Sequence, residues 1–236
     1  MPRIKVRSTY FQAITYRSRH VAAENNANDF DAEIRDAEIW RYSDAISAHL
    51  PGLECRAVVR AEMDEIFFAS SSVQSFADKA TQQAFHWRWL GRYLAEEPQH
   101  AFVAIRKSGK GKYRDREHAE DTYNICGYLV GSLDDPARRA EFSDLSYFED
   151  FADQTAKYPA HLHINLAPPW RGKGIGGALI AAFARHARKE GVAGMHVVTG
   201  QGMRNVSFYK GLGFEKVAMI ERWKATVVML AKYLTP

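Results

Sequence analysis

The spacing of apolar positions changes several times along the chain, and each change marks an element. In "NDFDAEIRDAEIWRYSDAISAHLPG", Phe30, Ile34, Ala37, Ile39, Tyr42, Ile46 and Leu50 recur at roughly helical intervals up to Pro51-Gly52, which predicts one or two amphipathic helices. "CRAVVR", beginning at Cys55, reads as a first strand, and "DEIFFASSSVQSF" and "QQAFHWRWLGRYLAEE" read as helical stretches after it. Two apolar runs, "HAFVAI" and "NICGYLVGSL", suit adjacent strands. The polar link between them, "RKSGKGKYRDREHAEDTY", suits a mobile hairpin loop. A helical "DLSYFEDFADQTAKY" leads into the strand "HLHINL", a glycine turn, a helix and the strand "GMHVVTG". "FEKVAMI" and "KATVVMLAKYL" read as an antiparallel pair at the end. This order describes an α/β domain over residues 55–236, preceded by a helical extension over residues 1–54. The extension reads as a packing element, or as a dimerisation or substrate-covering element; a homodimer is the assembly it would build.

Composition narrows the class. The 236 residues are 46% apolar and 25% charged, ordinary for a globular protein and enough for one sizeable core. The net charge of +4 comes from basic residues interleaved with acids, so no nucleic-acid surface is expected. No apolar run reaches about 18 residues and no leader pattern opens the chain, so no membrane association is expected and the cytoplasm is the expected compartment. Cys55 and Cys126 are too few for a disulfide framework and read as reduced, buried residues. There is no H-E-x-x-H and no metal-ligand spacing, so no metal is expected.

The chemistry concentrates in "HLHINLAPPWRGKGIGGALI". Glycines at 172, 174, 176 and 177 clear side chains from a short turn, so that successive N–H groups can approach an anion. Ile175, Leu179, Ile180, Phe183 and Ala187 continue at helical spacing, with Arg188, Lys189 and Gly191 as a cationic last turn and stop. The positive end of that helix faces the turn, and Arg171 and Lys173 add full charges. A diphosphate fits such a site. Gly172, Gly174 and Gly177 also match the dinucleotide pattern G-x-G-x-x-G, but the ribose-binding acid it requires is missing: Thr199 and Gln201 stand where it belongs, and Glu190 falls at the helix end.

Arg171-Gly172-Lys173-Gly174-Ile175-Gly176 resembles the R/Q-x-x-G-x-G/A signature of the GNAT acyl-coenzyme A transferases, and "NVSFYKGLGF", Asn205 to Phe214, resembles the second signature of the same superfamily. Their order and separation match as well. The stretches "YLAEEPQHAFVAI", "GYLVGSLDD" and "YPAHLHINLAPPWRGKGIG" are further similar to bacterial members related to the acetyltransferase-like domain of O-GlcNAc hydrolases. The resemblance implies an α+β fold with a mixed, twisted sheet whose two central parallel strands splay apart. It implies acetyl-CoA as cosubstrate, gripped by Arg171, Gly172, Lys173, Gly174, Ile175, Gly176 and Gly177. The strand residues Ile164, Asn165 and Leu166 would lend further contacts, as would Asn205 and Phe208 in the second motif. Tyr209 matches the tyrosine that protonates the departing thiolate; with an ordinary pKa of about 10 it keeps its proton at neutral pH. Asn205 also reads as a helix N-cap.

On the strand, His161, His163 and Asn165 share one face and Leu162, Ile164 and Leu166 the other. His163 is the candidate general base, with a structural histidine as the plainer reading. The acidic stretch Glu141, Asp144, Glu149 and Asp150 reads as a solvated helix face, or as an attractor for a cationic amine. Together these imply transfer of acetyl to a primary amine of a small molecule or peptide by direct attack, since neither motif holds a cysteine. The alternative is a non-catalytic regulatory module that binds coenzyme A.

Overall fold

The computed structural model describes residues 37–71, 73, 75–108, 122–222 and 225–234. Its strands are β1 (Glu38–Arg41), β2 (Phe102–Ser108), β3 (Thr122–Ser132), β4 (Ala160–Leu166), β5 (Gly194–Gly200), β6 (Glu215–Arg222) and β7 (Ala225–Tyr233). They form one mixed sheet in the order β1-β2-β3-β4-β5-β7-β6, in which β4 and β5 run parallel and the other neighbours antiparallel. β2 and β3 pair as expected; the loop foreseen between them falls on residues 109–121, outside the described residues.

Three expectations are corrected. The helical pattern of the extension holds for α1 (Tyr42–Ser47), whereas Glu38–Arg41 is strand β1, paired from Glu38↔Ile105 to Arg41↔Phe102; Phe30 and Ile34 lie outside the described residues. The open edge of β2 offers these four residues a ladder of hydrogen bonds, and that tertiary pairing overrides the local period. "CRAVVR" is not a strand but leads into helix α2 (Arg56–Ser70), whose buried Val59, Met63, Ile66 and Phe67 recur at helical steps. Six residues were too few to reveal that period. Cys55, just before α2, is exposed rather than buried, while Cys126 in β3 is buried; both are free thiols.

The remaining helices cover the sheet. α3 (Lys79–His86) begins where Asp78 accepts the Thr81 N–H at 2.7 Å and continues through a π-helical turn, Trp87–Gly91, into α4 (Arg92–Glu96). Short α5 (Tyr147–Asp150) and α6 (Ala152–Thr155) lie before β4. α7 (Ile175–Lys189) packs on β2, β3 and β4, burying Leu179, Ile180, Phe183 and Ala187 with Phe102, Leu129, Leu162 and Met195. α8 (Arg204–Gly211) precedes β6. A second core holds Val59, Met63, Leu90, Tyr93, Tyr128, Val130, Phe142 and Phe148. β4 therefore has a different core on each of its faces. No helix among the described residues is long and apolar enough to cross a membrane.

A polar chain ties β1 to α7. Arg41 Nη2 lies 3.1 Å from His186 Nδ1, and His186 Nε2 lies 2.8 Å from His100 Nδ1. Arginine only donates, so His186 accepts at Nδ1 and donates from Nε2–H to His100. This arrangement requires both imidazoles neutral. Burial pushes the pKa of His100 down to about 4, with His186 adding to the shift, and burial followed by the Arg41 charge lowers that of His186.

Candidate active site

The site opens where β4 leaves β5. The two strands pair only at Ala160↔Met195 and His161↔His196, although β4 continues to Leu166 and β5 to Gly200. The register fixes what the opening exposes. Ala167 donates to the Cys126 carbonyl, so His161, His163 and Asn165 direct their main-chain groups to β3, and those of Ile164 and Leu166 point away from it into the gap. From the other side, Gln201 and Leu234 bond across β5 and β7, which leaves Val198 and Gly200 facing the gap. Asn165 is thus set apart from Ile164 and Leu166: its main chain belongs to the ladder with Tyr128, and its Nδ2 donates to the Tyr128 hydroxyl at 2.8 Å.

The glycine turn sits at the mouth of the gap. Pro168 and Pro169 end the strand in a short 3-10 turn, and Gly174 takes φ 76°, a left-handed conformation that favours glycine, to start α7 without a side-chain cap. Ala178 N–H bonds to the Gly174 carbonyl, while no acceptor among the described residues takes the N–H groups of Gly172 through Gly177. Six unclaimed amides at the positive end of a 15-residue helix form an anion cradle. Gly176 is required for another reason: a Cβ there would lie 3.0 Å from Cζ of Phe208, which seats α8 against the loop. Lys173 and Arg106 flank the Trp170 ring, their charged groups 5.9 and 4.7 Å from its centroid. Arg171 turns inward: Nε donates to the Leu166 carbonyl at 3.1 Å and Nη2 to Ser70 Oγ at 3.2 Å, while Ser70 reaches the same carbonyl at 3.3 Å. This cation braces the loop against the C-terminus of α2.

The second motif closes the far side. Tyr209 is buried between Phe208 and Phe214, its hydroxyl has no partner among the described residues, and burial raises its pKa above the ordinary tyrosine value. Met203 is the N-cap residue of α8, so Asn205 is not the cap. Instead its Oδ1 accepts from Thr199 at 3.1 Å, which fixes the amide and leaves Nδ2 as a free donor on the exposed side.

On the opposite face of β4 the alternating His161, His163 and Asn165 meet partners that no local pattern marks. The Tyr93 hydroxyl from α4 lies 3.2 Å from His161 Nε2 and 3.1 Å from His163 Nε2, bridging the two histidines. His161 stacks on His196 with centroids 5.6 Å apart, and Trp89 meets His163 edge to face at 5.0 Å. Burial, followed by the Arg92 charge, lowers the pKa of His163 to about 4, so its imidazole is neutral near pH 7. Most of the acidic stretch is committed elsewhere. Asp144 holds Arg88 and the buried Arg92 at 2.7 and 2.8 Å, Glu141 pairs with Arg139, and Asp150 lies 3.1 Å from Arg222.

Comparison with known proteins agrees with this geometry. The structure of SsHAT overlays on this one with a TM-score of 0.61 at 23% identity, covering 85% of this chain and all of that one. PH1933 from Pyrococcus horikoshii OT3 overlays with a TM-score of 0.53 at 15% identity, covering 84% of this chain and 98% of that one. At such identities the likeness is one of fold. Residues 62–214, well over half of the chain, match the acetyltransferase (GNAT) family over the gap, the glycine turn and the second motif alike. The chain belongs to the acetyltransferase (GNAT) family.

Proposed function

We propose that this enzyme moves the acetyl group of acetyl-CoA directly onto a primary amine. A carbon–nitrogen bond forms as the carbon–sulfur bond breaks; the nitrogen loses a proton and the departing sulfur gains one. The observation that carries this reading is the parting of β4 from β5 after His161 and His196, with six unclaimed amides at its mouth. Acetyl-CoA would supply an acetyl group activated as a thioester.

The amides of Gly172–Gly177 and the Lys173 charge suit the pyrophosphate, and Arg171 acts by bracing the loop. The N–H groups of Ile164 and Leu166, which face the gap, would suit the pantetheine arm; the Leu166 carbonyl is already occupied. Asn205 offers Nδ2, and Phe208 holds its helix against Gly176. Tyr209, protonated at neutral pH, gives its proton to the leaving sulfur. His163, neutral and steadied by Tyr93, takes the proton of the amine; the nitrogen becomes more acidic as its new bond forms, so a weak base suffices. Residues 55–236 act as the catalytic domain, with 1–54 an extension that docks through β1.

The test is calorimetric titration with acetyl-CoA, coenzyme A and NAD, with free thiol measured on turnover. Binding of the coenzyme A pair alone is expected, and Tyr209→Phe is expected to keep that binding while losing about 10²-fold or more in kcat. Binding of NAD alone would overturn the reading.

A further inference from the structure

Between α2 and α3 lies a cavity of about 590 Å³ lined by Asp64, Phe68, Gln82, Gln83, His86 and Trp87. It lies outside both sequence motifs. Asp64 is the one fixed charge among these residues, in a chain of net charge +4. Its Oδ1 accepts from His86 Nε2 at 2.7 Å, and its Oδ2 has no partner among the described residues. His86 is held by rings, with Phe67 edge-on at 5.5 Å and Phe68 stacked at 5.9 Å. The π-helical turn directs Trp87 outward, 46% exposed, and glycine at 91 makes room for it: a Cβ there would lie 3.1 Å from Trp87 and 3.3 Å from His86 Nδ1. A partly buried carboxylate, two aromatic rings and two amides attract an ammonium group, and the rings and methylene stems suit an aliphatic chain.

α2 connects this cavity to the gap. Burial, with a smaller addition from Asp64, raises the pKa of Tyr128, whose hydroxyl takes the Asn165 amide on the polar face of β4. Six residues further along α2, about 9 Å on, Ser70 donates to the Leu166 carbonyl at the edge of the gap. We propose that the cavity is the acceptor pocket and selects a di- or polyamine, one end held by Asp64 and the aromatic rings while the other reaches the gap. A carboxylate that gripped the reacting nitrogen would keep it protonated and inert. A second, distant cation removes that conflict, because one nitrogen anchors and the other is free to lose its proton.

The inference rests on the acetyl-CoA reading for the reaction but not for binding, so the two can fail separately. Protein with and without saturating coenzyme A is titrated calorimetrically with spermidine and with n-butylamine. Spermidine is expected to bind more tightly than n-butylamine. Asp64→Asn should weaken spermidine binding by about tenfold or more, and Trp87→Ala by about threefold, with coenzyme A binding unchanged in both. Equal spermidine affinity for the parent and Asp64→Asn would overturn the proposal, as would failure of the parent to bind spermidine. If Asp64→Asn does not fold, undiminished affinity in Trp87→Ala, altered at an exposed residue, overturns it instead. Aspartate-dependent spermidine binding without coenzyme A binding would keep the pocket and overturn the acetyl-CoA reading.

Discussion

The two faces of β4 are built by opposite means. Toward α7, Leu162, Ile164 and Leu166 meet an apolar layer, and the strand runs on into a turn that presents unclaimed main-chain amides. Toward α2–α4, His161, His163 and Asn165 meet hydroxyls and rings brought from distant parts of the chain, and it is side chains that this face presents. The first face depends on backbone shape, which a run of glycines specifies locally; the second depends on which side chains the fold brings together. On the proposed reading, a fixed coenzyme grip can therefore coexist with an acceptor side free to vary.

Substitutions that act on one face and spare the other test this division. The largest effect is expected at Phe183, fully buried against Phe102 on the α7 face. Phe183→Ala should cost about 3–5 kcal/mol of unfolding free energy, read from denaturant midpoints, as lost burial adds to a cavity. On the other face, Tyr93→Phe removes one hydroxyl shared by the buried His161 and the half-buried His163 and should cost about 1–3 kcal/mol. It should raise the KM for the amine and displace the pH profile while leaving coenzyme A affinity intact; a matching loss of coenzyme A affinity would break the division. Gly174→Ala forces a side chain into a left-handed conformation, for about 1–2 kcal/mol, and should weaken coenzyme A binding without moving the KM for the amine.

A further effect is a slope with pH rather than the loss of one contact. His100, His163 and His196 have pKa values lowered to about 4, largely through burial, against an unfolded value of about 6.5. A histidine kept neutral in the folded state adds stability that is fully present above the unfolded pKa and is lost as pH falls toward the folded one. Unfolding free energy should therefore fall between about pH 6.5 and 4. Arg41→Met removes a charge that lowers the pKa of both His100 and His186 and should make the slope shallower. Equilibrium unfolding across that pH range measures both.

The first face was readable because its signals are local. The glycine spacing, the cations at 171 and 173 and the motif around Tyr209 each occupy a few consecutive residues, and the alternation of β4 assigned its two faces correctly. The inward turn of Arg171 was not readable, because its acceptors are Leu166 and, a hundred residues away, Ser70. Nor was the role of Tyr93, which meets His161 and His163 across 68 and 70 positions. β1 was mistaken for helix because its conformation is imposed by the edge of β2. The start of α2 was mistaken for a strand because Val58 and Val59 look alike in a short window, although only Val59 is fully buried. Asp64 and His86 carried no sign of partnership, lying 22 positions apart on separate helices.

The parting of β4 from β5 also bears on how the molecule holds together. Across that seam the two parts of the sheet, β1–β4 and β5–β7, share only two paired positions of backbone, while one apolar cluster, with Leu162 and Leu179 on one side and Val197 and Leu230 on the other, spans them. The sheet is therefore two cooperative units in series, and amide protons of Ile164, Leu166, Val198 and Gly200 should exchange with solvent sooner than those on the outer ladders. A ligand lying along the gap would supply the missing rungs and fasten the two units together.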